Sequence, residues 1–161
     1  MIPRDRLSLP FGSGFFNRPA DERADMREVE VSRFVRATPT ELRRHLSPAT
    51  VVGSEETFTV REVHDLDDAI LVTAVGGGLQ LALRFESRED GLYYAQEGQE
   101  GPFESMETWL TLAPENEGTR LTARSRVSLG LPLAPLTDRI AAWKRRGELK
   151  RALENVASDV E

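Results

Sequence analysis

Residues 118–129 read GTRLTARSRVSL and residues 136–160 read LTDRIAAWKRRGELKRALENVASDV, and the change of period between them decides the fold. In the first stretch Leu121, Ala123, Ser125, Val127 and Leu129 alternate with Arg120, Thr122, Arg124 and Arg126. That two-residue repeat is a strand with one apolar and one wet face. In the second, Leu136, Ile140, Trp143, Leu149, Leu153, Val156 and Val160 fall mostly three or four apart. This spacing predicts one amphipathic helix of roughly 24–26 residues, about 36–39 Å long. Gly147 sits inside it, where glycine costs about 1 kcal/mol relative to alanine. Its expected role is to permit a bend or a close approach to the sheet.

Working back from Gly118, five more extended runs appear: 58–63, 70–75, 79–85, 92–96 and 103–112. Turn residues separate them and no helical pattern intervenes, so the runs form antiparallel hairpins. Val75-Gly76-Gly77-Gly78-Leu79 is one of the hairpin turns; as a phosphate cradle it would need a following Lys-Ser or Lys-Thr and a helix. The series begins earlier, at residues 28–35, where Val29, Val31 and Val35 alternate with polar positions. Thr38-Pro39-Thr40-Glu41 then forms a capping box with proline at the first helical position. Ser47-Pro48 repeats the cap, and this second short helix is expected to stop at Gly53. The class is therefore α+β: a seven-stranded antiparallel sheet, two short helices after strand 1, and a long C-terminal helix. Residues 1–26, with Pro3, Pro10, Pro19, Gly12 and Gly14, read as a flexible tail that carries Phe11, Phe15 and Phe16, and residues 27–161 as the folded domain.

A chain of 161 residues with 39% hydrophobic and 30% charged positions is one globular domain. Without cysteine it has no disulfides, thiolate metal sites or cysteine nucleophiles, and His45 and His64 are too few for most histidine metal sites. No run reaches the roughly 18 apolar residues of a membrane span. Arg4, Asp5 and Arg6 interrupt the place of a signal peptide, so cytoplasmic residence is expected. The net charge is −6, with 21 basic and 27 acidic residues; Lys144 and Lys150 are the only lysines. Nucleic acid is not the expected partner of so acidic a body, because phosphate neutralisation by Lys and Arg supplies most of that affinity.

This order of elements, together with Val31-Ser32-Arg33-Phe34-Val35, Gly118-Thr119-Arg120-Leu121-Thr122 and the helical Leu149-Lys150-Arg151-Ala152-Leu153-Glu154, resembles the START-like or SRPBCC superfamily, which includes polyketide cyclase/dehydrase-like proteins. The resemblance covers about residues 27–160. It implies the helix-grip fold, a curved sheet wrapped around the long helix with an apolar cavity between them that takes a lipid, quinone, polyketide or similar small hydrophobic molecule. It implies no cofactor. The alternation supplies the candidate ligand-binding wall: Leu81, Leu83, Phe85, Tyr94, Gln96, Met106, Thr108, Leu110, Ala123 and Ser125 from the sheet, with Ile140 and Trp143 from the helix. Ala123 and Ser125 are small, and either leave room for a ligand or admit Ile140 or Trp143 as ordinary packing.

Polar groups on an inward face are informative, because burying one unpaired costs on the order of 1–3 kcal/mol. Arg33, Tyr94, Gln96, Glu104, Thr108 and Ser125 meet that description. They are either oriented ligand contacts or a structural set in which Arg33 pairs with Glu104 at the rim. Ser125, His64 and Asp65 make no triad, since no nucleophile-elbow glycines surround Ser125 and Asp65 is expected simply to bond His64. Three functions follow as expectations. The first is non-catalytic binding or transport of a small hydrophobic ligand. The second is a cyclase/dehydrase-type enzyme using Arg33, Tyr94 and Glu104. The third is an interaction module with a filled core, acting through the acidic sheet, the phenylalanine tail and a solvated Lys144-Arg145-Arg146 face.

Overall fold

The computed structural model of the chain describes residues 27–98, 103–129 and 134–161, the backbone alone for 134–138. The tail over 1–26 falls outside the described residues. The elements run β1 (Arg27–Val35), α1 (Pro39–His45), α2 (Pro48–Glu55), β2 (Thr59–Asp65), β3 (Ile70–Gly76), β4 (Leu79–Arg88), β5 (Gly91–Glu97), β6 (Ser105–Glu115), β7 (Gly118–Ser128) and α3 (Ala134–Val160). The sheet order is β1-β7-β6-β5-β4-β3-β2, every pair antiparallel. Thus β1 crosses over to sit beside the last strand, and α3 packs chiefly on β1 and β7.

The local signals act as their chemistry requires. Thr38 Oγ1 accepts the Glu41 amide at 3.2 Å while Glu41 Oε2 accepts the Thr38 amide at 2.8 Å, closing the capping box of α1. The β3–β4 turn runs through Gly77 and Gly78 at φ +57° and +78°, the left-handed values that a tight hairpin demands. At Gly91 the need is space: a Cβ would collide with the Leu110 carbonyl on the neighbouring strand.

Helix α2 runs past Gly53 to Glu55, and Glu56 supplies the left-handed stop at φ +60°. Ser54 Oγ donates to the Thr50 carbonyl at 2.7 Å within the extra turn, and the Glu55 side chain is held from inside the protein. Gly147 does not serve a close approach, for a Cβ there would meet only Arg151 Nη1 at 3.7 Å. His64 bonds Glu62 at 3.1 Å instead of Asp65. No helix among the described residues is long and apolar enough to cross a membrane.

The inward residues of the sheet, including Leu81, Leu83, Phe85, Met106, Leu110, Leu121, Ala123 and Val127, form one core with Leu42, Val51, Leu149, Leu153 and Val156 from the helices. On the outer face Trp109 is shielded by the guanidinium groups of Arg124 at 4.5 Å and Arg126 at 5.4 Å from its ring centre, with the Tyr93 ring at 5.4 Å. Cation–π contact gives an outward tryptophan the cover it needs.

Candidate functional site

The strand register carries Tyr94, Thr108 and Ser125 into one transverse row: Tyr94 lies opposite Thr108, and Thr108 opposite Ser125. All three are fully buried. Above them the space left by Ala123 and Ser125 is filled by neither Ile140 nor Trp143. Arg145 fills it, at 2% exposure, and all of its guanidinium nitrogens are engaged. Its Nη1 and Nη2 clamp both oxygens of Glu55, at 2.8 and 3.0 Å. Nη1 also donates to Glu148 at 3.0 Å, Nη2 to Tyr94 at 2.7 Å and Thr108 at 3.0 Å, and Nε to Ser125 at 3.2 Å. The Tyr94 hydroxyl in turn donates to Glu55. Ser125 donates to the Glu107 carbonyl at 3.0 Å and lies 2.9 Å from the Thr108 hydroxyl, which also reaches Met106 Sδ at 3.3 Å.

The Arg145 guanidinium is fully paired and hydrogen-bonded, the condition under which its charge is tolerated in a core. Burial pushes the Tyr94 phenol far above its ordinary range and the Glu55 charge adds to this, against an opposing pull from Arg145. Burial works to lower Arg145, but Glu55, Tyr94 and Glu148 outweigh it and hold the guanidinium firmly protonated. Tyr94 therefore stays a protonated hydrogen-bond partner at neutral pH and does not serve as a base. Its ring stacks on Phe85 at 4.6 Å. The residual void beside this set, among Leu46, Val51, Leu110, Leu121 and Leu153, is about 10 Å³, no more than one small water's room.

Space for a ligand lies further along α3, toward its first half. A cavity of about 400 Å³ is walled by Phe58, Leu79, Phe103, Leu129, Ile140 and Ala141, with Thr57, Gly76 and Gly77 from the strand ends. Two charged side chains reach it, exposed Lys144 and buried Glu148. Glu148 is thus shared, contacting the cavity on one side and Arg145 on the other.

The expected wall divides accordingly. Leu81, Leu83, Phe85, Tyr94, Met106, Thr108, Leu110, Ala123 and Ser125 all point inward and are buried. They form the packed base and hydroxyl row beneath Arg145, and none of them lines the cavity. Gln96 is half-buried and its amide donates to the Phe103 carbonyl at 2.6 Å, bracing a cavity residue. Ile140 reaches the cavity but is 61% exposed, and Trp143 is 78% exposed on the outer side of α3. At about 100° per residue Trp143 lies roughly 120° and Ile140 roughly 180° around the helix from Leu149, so the phase of the buried stripe excludes both. The same phase points to Ala142 and Arg145. Arg145 was therefore discoverable, as a core-stripe cation needing an acidic partner; the expectation of a solvated triplet is corrected at its middle residue. Glu55 carried no signal, because it lies beyond the apparent glycine stop.

Arg33 does point inward, with its Nε buried and unpartnered among the described residues, but it faces Leu121 while the Glu104 carboxylate accepts from the Ser128 hydroxyl at 3.5 Å. The two form no rim pair. No group of three or more potential metal ligands clusters among the described residues.

No family model matches the sequence, and no curated protein matches it. Solved structures do match. A START superfamily protein from Mycobacterium smegmatis superposes with a TM-score of 0.62 at 14% identity, covering 83% of this chain and 99% of that one. The ZhuI aromatase/cyclase from a Streptomyces species gives 0.63 at 12%, covering 84% and 96%. A protein from Thermus thermophilus gives 0.60 at 19%, covering 84% and 100%. The chain has the START-like helix-grip fold, as its sequence resemblance implied.

Proposed function

We propose that residues 27–161 bind and carry a small hydrophobic molecule in the cavity under the first half of α3, without chemistry of their own. The observation that carries this reading is the cavity itself: about 400 Å³, walled mainly by apolar side chains, with two charged groups to orient a guest. Ligand sites of about 300–1,000 Å³ have this composition. The fold supports it, since it is shared with a START superfamily protein and an aromatase/cyclase. Orientation falls to Lys144 at the exposed side and Glu148 at the buried side; Tyr94, Thr108 and Ser125 act at one remove, by fixing Arg145 and through it Glu148.

Mass spectrometry of organic extracts of the purified protein should find a bound small molecule, and a fluorescent apolar probe should bind stoichiometrically. Ala141→Trp, which fills the cavity from α3, should weaken probe binding at least tenfold. A protein that extracts empty and binds no probe, or an Ala141→Trp variant that binds as well as the parent, overturns the reading.

A cyclase-type reading has one observation in its favour, the buried Glu148 carboxylate at the cavity. Its proton-moving group would be Glu148 instead of Arg33, Tyr94 or Glu104, none of which lines that space. Turnover of a polyketide-like substrate that disappears in Glu148→Gln while probe binding persists would favour the enzyme over the carrier.

A further inference from the structure

The outer face of α3 between Arg139 and Arg151 is unlike the rest of the molecule. Arg139, Trp143, Arg146 and Lys150 recur at i, i+4, i+7 and i+11, one stripe of the helix, and all are exposed. Lys144 and Arg151 flank the stripe, so both lysines of the chain lie here. The one acidic residue of the segment, Glu148, is turned inward to Arg145. Arg151 comes within 3.9 Å of Glu56, whereas Arg139, Lys144, Arg146 and Lys150 form no ion pair among the described residues.

Helix stability accounts for this cluster only in part: Lys144 and Lys150 each have a glutamate four residues on, Glu148 and Glu154. Arg146 and Lys150 are like charges at i, i+4, which repel. The cations also lie short of the last turn, where the helix dipole would favour them. The protein around them carries net charge −6, so the concentration is local. In its midst Trp143 and Ile140 stand 78% and 61% exposed, and Leu79, 45% exposed, lies across the cavity from Ile140.

We propose that this face docks the protein on anionic phospholipid bilayers, with Trp143 and Ile140 at the headgroup boundary and the exposed cations against lipid phosphates. Tryptophan suits that boundary because its ring is apolar and its N–H polar. Peripheral attachment takes apolar insertion and a basic surface together, and both are present on one stripe. A single-stranded nucleic acid would call for a row of stacking rings, and Trp143 is the one aromatic residue in segment 139–151. The face is continuous with the cavity, since Ile140 and Lys144 belong to both. A hydrophobic guest would thus pass between bilayer and cavity without crossing open water.

The test is sedimentation of the full-length protein with vesicles of phosphatidylcholine alone and of phosphatidylcholine mixed with phosphatidylglycerol, at low and physiological salt. Binding should require the anionic lipid and weaken as salt rises. In a Trp109→Phe background, where Trp143 is the sole tryptophan, emission should shift to the blue on binding. Arg139→Gln and Arg146→Gln should each weaken partition about fivefold, and Trp143→Ser should abolish the residual attachment at physiological salt. These side chains are exposed, so circular dichroism and apolar-probe binding should stay at parental values, which separates loss of docking from loss of the cavity. Equal binding to neutral vesicles, no binding to anionic ones at low salt, or partition unchanged by the three substitutions overturns the proposal. So does tighter binding of an oligonucleotide or a polyglutamate that leaves the vesicles free.

Discussion

The two halves of α3 share one helix and one sheet, yet do opposite things. From Leu149 onward Leu149, Ala152, Leu153, Val156 and Ala157 are all buried against the core, a dry stripe that anchors the helix. Before Leu149 the helix exposes Ile140 and Trp143, walls a cavity with Ala141 and sends a charged arginine into the interior. The second half is held by area, roughly 25 cal/mol per Å² of apolar surface removed from water. The first is held by one guanidinium and its acceptors. Burial by area tolerates substitution in proportion to volume, whereas a saturated polar set fails when any member leaves.

The largest effect should come from breaking that set. Arg145→Met strands the Glu55 and Glu148 carboxylates in the interior and should cost about 3–5 kcal/mol in urea unfolding. Adding Glu55→Leu and Glu148→Leu should restore much of the loss, since an apolar replacement of a whole buried ion set is often neutral. A triple variant less stable than Arg145→Met would show that the network does more than neutralise its own charges.

Next comes the contrast along the helix. Leu153→Ala should cost about 2–5 kcal/mol by cavity formation, while Trp143→Ala should stay within about 0.5 kcal/mol of the parent. Equal losses would place Trp143 in the core after all.

A pH titration follows. The chain has two tyrosines, Tyr93 and Tyr94. Tyr93 is pushed up to about 12, by partial burial, its 2.9 Å hydrogen bond to Glu107 and that group's charge; Tyr94 is raised further. A phenol whose folded pKa is raised binds its proton longer in the native state, so its stabilisation is complete below the unfolded pKa near 10 and drains away as pH climbs above it. Tyrosinate absorbance at pH ~10.5 should therefore be near zero in the native protein and large in the unfolded one. Unfolding midpoints should also fall from pH ~9 to ~11.

The smallest effect should be a gain. Gly147 has open space around its missing Cβ, and Gly147→Ala should stabilise by about 0.5–1 kcal/mol through helix propensity. A loss would revive the idea of a required bend in α3.

These contrasts mark how far the sequence could be read. Alternation in β7 and β4 showed which side chains face inward, because a two-residue period leaves no doubt about faces. The capping box at Thr38 and the glycines at 76–78 fixed where helix and hairpin begin. Trp143 is apolar but out of phase with the buried stripe, and Arg145 is in phase but, as a charged residue between two others, reads as surface. The cavity was out of reach for another reason. Phe58, Phe103 and Leu129 lie at strand margins, where alternation has just begun or just ended, and only the assembled sheet brings them to Ala141 and Glu148.

The position of β1 beside β7 has a consequence for synthesis. Arg27 lies opposite Val127 and Val35 opposite Thr119, so β1 leaves the ribosome with no partner until nearly the whole sheet exists. Closing so long a loop is slow, and its entropy is lost before any contact is gained. The wait is longer still for Glu55, whose counter-ion is supplied by the last helix. Without Arg145, burying that carboxylate with α2 would carry the desolvation cost of an unpaired charge. Nascent chains stalled before residue 145 should therefore present an open, protease-sensitive sheet.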